Sequence, residues 1–199
     1  MAFLRRQRQD ASSRLDICGS IPAMPDSCRF PLEQIQSLAR RYVGGNTDQV
    51  REEKIIGTIS PRVRSAGFYT RPDFLELCFW KTPRTQPRCQ RNDDAFIEEV
   101  TRIALGTQNE RLRIEGLTLL SGVSWPTASV LLHFGHRDPY PILDFRALES
   151  LEIPMPPEYT FEFWWEYVLV CRELSRKHDA DMRTIDRALW QFSLENKKT

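Results

Sequence analysis

LTLLSGVSWPTASVLLHFGHRDPYPILDFRALESL, residues 117–151, packs a turn, a helix and an acidic loop into thirty-five positions. Ser121, Gly122 and Ser124 are small, so the backbone N–H groups of that turn can approach an anion closely. Pro126 and the apolar run behind it predict a helix over about 126–134, whose positive N-terminal end faces the same place. Such a contact grips a phosphate without reading base sequence. The chain then runs through Tyr140-Pro141-Ile142-Leu143 to Asp144, just before a short helix beginning Phe145-Arg146-Ala147-Leu148. An aspartate there is an N-cap, and a cap fixes a carboxylate at a helix start. Each feature also has a plainer reading: a helical hairpin with a glycine turn, and a cap with no further role.

Helical periodicity continues outward on both sides. Leu32, Ile35, Leu38, Ala39 and Tyr42 recur at spacings of three and four before Gly44-Gly45. Residues 46–69 are mixed, with Val50, Ile55 and Ile56 on a short helix. Thr70 and Pro72 open a helix with Phe74, Leu77 and Cys78 on one face. Residues 81–91, KTPRTQPRCQR, carry two prolines and read as a loop. Asn92 or Asp93 caps the next helix, striped by Phe96, Ile97, Val100, Ile103 and Ala104, and another runs from about Glu110 to Leu120. A proline-rich link, 153–157, precedes two long helices at about 159–176 and 181–193. The first is strongly aromatic (Phe161, Phe163, Trp164, Trp165, Tyr167) and reads as core. With no convincing strand and no repeat, the fold class is all-α.

The 199 residues suit one domain or two small lobes, and 9 glycines are few for a turn-rich β-sandwich. No run of eighteen apolar residues predicts a membrane span. The net charge is +1, from 28 basic and 27 acidic side chains, which by itself speaks against a nucleic-acid binder. The charge is segregated, however. Lys81, Arg84, Arg88 and Arg91 sit in a stretch without an acid, while Glu149, Glu152, Glu158, Glu162 and Glu166 sit in one without a base. A neutral sum of that kind is compatible with a local basic surface, although a basic run is also commonly just a solvated loop. Five scattered cysteines with no C-x-x-C pair predict reduced thiols, with neither a zinc site nor a disulfide framework. His133 and His136, spaced i, i+3, lack a third ligand nearby and read as surface or phosphate-contacting histidines, so no metal is expected. Arg183, Asp186 and Arg187 read as helix-surface pairs. Residues 1–29 are Arg-rich and polar without the apolar core of a secretory signal, and read as a flexible basic arm.

The 117–151 stretch resembles the helix-hairpin-helix DNA glycosylase superfamily, which includes endonuclease III and the alkyladenine glycosylases. Leu120, Gly122, Val123, Thr127 and Ala128 match its hairpin, and Leu143-Asp144 matches its aspartate loop, eighteen positions after the hairpin's lysine position, here Pro126. Ser121 stands where a proline is usual and Ser124 where a second glycine is. Trp125-Pro126 is similar, in reversed order, to a proline–tryptophan corner of monofunctional members.

The resemblance implies two helical lobes over residues 30–199 with the active site between them, the hairpin at 110–136 and the catalytic loop at 140–148. It implies a DNA N-glycosylase in which Asp144 stabilises an oxocarbenium-like sugar. Leu120, Ser121, Gly122, Val123, Ser124 and Thr127 would hold the DNA backbone. Trp80, Lys81, Arg84, Gln86 and Trp125 would wedge the duplex or line the base pocket. Without the hairpin lysine, the implied enzyme is monofunctional and leaves an abasic site. The implied partner is double-stranded DNA with an extruded base, bound by a monomer, cytoplasmic and nucleoid-associated, serving repair or defence against modified phage DNA. No iron–sulfur cluster is expected, because only Cys171 lies beyond Asp144, while a monovalent cation at the hairpin is implied weakly. Two other readings stay open: a non-catalytic hairpin DNA-binding protein, and a bifunctional glycosylase/lyase that uses Lys81.

Overall fold

The computed structural model describes residues 30–42 and 49–196; the arm expected over 1–29 lies outside them. All regular structure among the described residues is helical. Helix α1 (Ile35–Arg41) follows one 3₁₀ turn at Leu32–Gln34, buries Ile35 and Leu38, and packs on the last helix of the chain. The mixed stretch that follows is a single helical run: α2 (Gln49–Lys54), a π-helical turn (Ile55–Ile59) and α3 (Ser60–Ala66). Pro61 accounts for the widened turn. It has no N–H, and its ring presses on the carbonyl four residues back, so Ser60 N–H bonds instead to Ile55 five residues back.

Helix α4 (Arg71–Lys81) buries Phe74, Leu77 and Cys78, as its spacing predicts. The 81–91 stretch is not a loop. It forms a 3₁₀ turn (Pro83–Thr85) and α5 (Gln86–Cys89), with each proline in a first turn, where its missing N–H has no partner to lose. Helix α6 (Asp94–Gly106) is capped by the Asp93 carboxylate, which accepts from Phe96 N–H at 2.8 Å. Its inward face is Ile97, Val100, Thr101 and Ala104, whereas Phe96 and Ile103 are exposed. Helices α7 (Glu110–Leu117), α8 (Trp125–Gly135), α9 (Phe145–Ser150), α10 (Phe161–His178) and α11 (Met182–Glu195) complete the chain.

Two groups of helices result. In one, α3, α4 and α7 pack around α8, with α6 against α4 and α7; in the other, α1, α9 and α10 pack on α11. Helix α8 is buried from Thr127 to Gly135, which makes it the axis of its group. Trp164 of α10 stacks on Tyr140 at 5.8 Å, so the aromatic helix does enter the core. Charged residues expected at the surface are also inside. Glu52 accepts from Arg183 at 2.7 Å and from Arg187 at 2.6 Å, tying α2 to α11. His133 is buried beside the Tyr140 carbonyl, 2.7 Å from its Nδ1, and burial pushes it down to about 3, so it is neutral and structural. His136 lies 2.7 Å from the Arg113 guanidinium. Neither histidine is the surface group that the sequence suggested. No helix among the described residues is long and apolar enough to cross a membrane.

Candidate active site

The turn between α7 and α8 owes its shape to Gly122. Its φ is +83°, and a Cβ there would stand 2.7 Å from Cys89 Sγ, 2.9 Å from Cys89 N and 3.0 Å from Arg88 Cβ. Both the left-handed backbone and the close approach require glycine. The approach seats the turn directly on α5, so the basic segment and the hairpin form one continuous surface. Asn92 fastens it there: its Oδ1 accepts from Ser121 N–H at 2.8 Å, and its Nδ2 donates to the Ser121 carbonyl at 3.0 Å.

The backbone N–H groups sort themselves accordingly. Those of Ser121 and Val123 are spent, the latter on the Leu120 carbonyl at 3.0 Å, and Leu120 donates to Leu117. Among the described residues those of Gly122, Ser124, Trp125 and Thr127 have no acceptor, and the Ser124 side chain leaves the helix start uncapped. Of the backbone contacts expected, Gly122, Ser124 and Thr127 therefore retain a free donor; Leu120, Ser121 and Val123 do not, because Leu117, Asn92 and Leu120 accept from them. The Leu120 and Ser121 carbonyls each accept one hydrogen bond from within the chain.

A cavity of about 510 Å³ lies between the two groups of helices. Its walls come from the residue that ends α1 (Tyr42), the end of α4 and the turn after it (Trp80, Lys81, Thr82, Pro83, Arg84), the acidic loop (Ile142, Asp144) with α9 (Ala147), and α11 (Arg183, Asp186, Trp190). That volume is in the range of small-molecule sites. Asp144 caps α9, its Oδ1 accepting from Arg146 N–H at 3.0 Å. Its Oδ2 faces Lys81 Nζ at 2.7 Å, and Lys81 also reaches the Leu143 carbonyl at 3.5 Å. Both side chains are only partly exposed, 14% and 22%, so the pair sits in the wall and not on the outer surface.

The loop carrying Asp144 is held from three helices. Leu143 N–H donates to Ser129 Oγ on α8 at 2.8 Å, Ile142 N–H to Asp186 Oδ1 on α11 at 3.1 Å, and Tyr167 Oη on α10 donates to the Ile142 carbonyl at 2.9 Å. Burial pushes the Asp186 carboxyl up to about 8. Its Oδ2 lies 3.1 Å from His133 Nδ1, but that proton goes to Tyr140, so Oδ2 receives no hydrogen bond.

No protein-family model and no curated protein matches the sequence. Among solved structures, the chain is similar to the 8-oxoguanine glycosylase/lyase of Methanocaldococcus jannaschii, crystallised with a 15mer DNA containing 8-oxoguanine. The likeness has a TM-score of 0.51 at 16% identity and covers 84% of this chain and 99% of that one. The chain has the helix-hairpin-helix DNA glycosylase fold.

Within that fold the expected wedge and pocket residues separate into two sets. Trp80, Lys81 and Arg84 line the cavity. Gln86 does not: its Nε2 donates to the Leu75 carbonyl at 2.9 Å and ties α5 to α4. Trp125 does not either; it packs beside Trp164, ring centroids 6.5 Å apart. Arg84, Arg88 and Arg91 are exposed and without partners among the described residues. Arg183, Asp186, Trp190 and Tyr42 were missed as cavity residues. The first three recur at spacings of three and four, one position behind the apolar stripe Met182, Ile185, Leu189, and that offset row was the available signal.

Proposed function

We propose that this protein is a DNA N-glycosylase that hydrolyses the bond between deoxyribose and a base extruded into the 510 Å³ cavity. The observation that carries the reading is Asp144, a carboxylate fixed by a helix cap at the cavity wall. Glycosidic cleavage builds positive charge on the sugar, and a preorganised negative charge beside it lowers the barrier without moving. The free N–H groups at Gly122, Ser124 and Thr127, with Arg88 beside the turn, suit the flanking phosphates. A base within the stack cannot reach Asp144, so extrusion is part of the reading. The test is incubation with duplexes carrying single modified bases, followed by alkali. Strand breaks that need alkali report abasic sites. Salt-sensitive binding without breaks on any duplex identifies a binding module instead.

A second reading is favoured by one distance. Pro126 removes the amine from the hairpin, yet Lys81 Nζ stands 2.7 Å from Asp144 Oδ2, so an amine does reach the site from α4. With its proton passed to Asp144, Lys81 would attack C1′ as the base departs with the bond pair; the nitrogen lone pair then breaks the C1′–O4′ bond, O4′ takes up the proton that the nitrogen gives up, and the opened sugar is left as an imine. Borohydride reduction distinguishes the two readings. On the hydrolytic reading no protein–DNA adduct forms; on the lyase reading an adduct forms with the native chain and is lost in Lys81→Arg.

A further inference from the structure

We propose that the base accepted by this cavity is electrically neutral and leaves as an anion, and that a cationic, N-alkylated base is excluded, a reading that rests on the glycosylase proposal above. The first support is the charge of the wall. Lys81, Arg84 and Arg183 line the cavity against Asp144 and Asp186, and Asp144 is already matched by Lys81 at 2.7 Å. Adding the pair just behind Arg183, Glu52 and Arg187, gives four cations against three acids. Burial also holds the proton on Asp186, which widens the surplus. The wall is positive whichever form that acid takes.

The aromatic rings supply the second support. An electron-rich ring is a good seat for a cationic base only while its face is free. Here the Arg183 guanidinium lies 5.3 Å from the Tyr42 ring and 5.3 Å from Trp80, and Arg146 lies 5.0 Å from Trp190. All three aromatic residues of the wall thus already face a cation of this chain. A second cation on the opposite face would be repelled across a poorly screened interior, whereas a neutral ring would not.

The chemistry of departure agrees. A cationic base takes the electron pair of the C1′–N bond and leaves neutral, needing no help from its surroundings. A neutral base takes the same pair and leaves as an anion. The charge that develops on it is met by Lys81, Arg84 and Arg183, while Asp144 meets the charge on the sugar. Water then adds at C1′ and gives up a proton to solvent, and the departed base anion takes one from solvent, which leaves a neutral sugar and a neutral base.

The test compares duplexes carrying N7-methylguanine, which is cationic, with duplexes carrying 8-oxoguanine, hypoxanthine or uracil, which are neutral. Released base is measured by mass spectrometry and each rate is divided by spontaneous loss from the same duplex. At least one neutral base should be accelerated about a hundredfold more than N7-methylguanine. Arg84→Glu reverses one wall charge at an exposed side chain that nothing else in the described residues uses. It should lower the ratio of neutral to cationic excision about tenfold. A phosphate contact by Arg84 would slow both duplexes alike and leave that ratio unchanged. Equal or greater acceleration of N7-methylguanine, or a ratio unmoved by Arg84→Glu, overturns this inference and leaves the glycosylase standing. Release from none of the duplexes overturns the glycosylase reading, and this one with it.

Discussion

The turn at 120–124 and the loop at 140–144 each deliver the chain to a helix start, and they treat their polar groups in opposite ways. In the loop nearly every group is spoken for: the Tyr140 carbonyl by His133, both polar groups of Ile142 by Asp186 and Tyr167, Leu143 N–H by Ser129, and Asp144 by Lys81 and Arg146. Among the described residues the turn is fastened from beneath by Asn92 and leaves the N–H groups of Gly122, Ser124, Trp125 and Thr127 without acceptors. A loop satisfied from three helices holds one carboxylate in one place, which is what electrostatic catalysis needs. A turn with unspent donors leaves them to water or to an anion from outside the chain.

Damage to the loop's carboxylate and damage to the turn must therefore separate. Asp144→Asn keeps the cap acceptor for Arg146 N–H, removes the charge and turns an amide N–H₂ toward Lys81 in place of Oδ2. It should lower single-turnover base release about 10²–10³-fold, with DNA affinity close to the native value and a melting temperature lowered only by the loss of the Lys81 pair. A variant that keeps full activity removes Asp144 from the chemistry.

Gly122→Ala strikes the other side. Alanine must adopt φ +83° and place its Cβ within 3 Å of the Cys89 backbone, so the turn lifts off α5. About 2–3 kcal/mol of stability should be lost, together with DNA affinity at every sequence, while the release rate from the complex that still forms changes little. A loss of rate with affinity intact would mean that the turn acts in the chemistry and not in the grip.

The same contrast explains what could be read from the sequence. The turn and Asp144 are short-range features: small residues, a helix start and a cap, all within thirty-five positions. The cavity is not. Lys81 meets Asp144 across 63 positions, and Glu52 meets Arg183 across 131. Charged residues on a helix are normally solvated, so Arg183 and Asp186 were assigned to the surface. They lie inside because Glu52 neutralises Arg183 and Ile142 N–H satisfies one oxygen of Asp186. The prolines of 81–91 misled in a related way, since a proline interrupts a helix from within yet suits its first turn. Each failure came from a partner or a position that local pattern does not specify.

A prediction confined to stability tests the buried acid that helps to lock the loop. Asp186 holds its proton up to about pH 8 in the folded chain, against about 3.9 in an unfolded one. Folding therefore takes up a proton between those values, so the stabilisation is complete below about pH 4 and drains away as the pH rises toward 8. His133 runs the other way: held down to about 3, it gives stability that is complete above about pH 6.5 and is lost as the pH falls. Asp186→Asn keeps an oxygen for Ile142 N–H and removes the first dependence while leaving the second. Its melting temperature relative to the native chain should therefore rise steadily from pH 4.5 to pH 8, by about ten degrees across that range. A difference that stays constant across the range would place an ionised Asp186 in the folded protein. The acid would then add its negative charge to the wall, and the positive surplus there would shrink to a single charge.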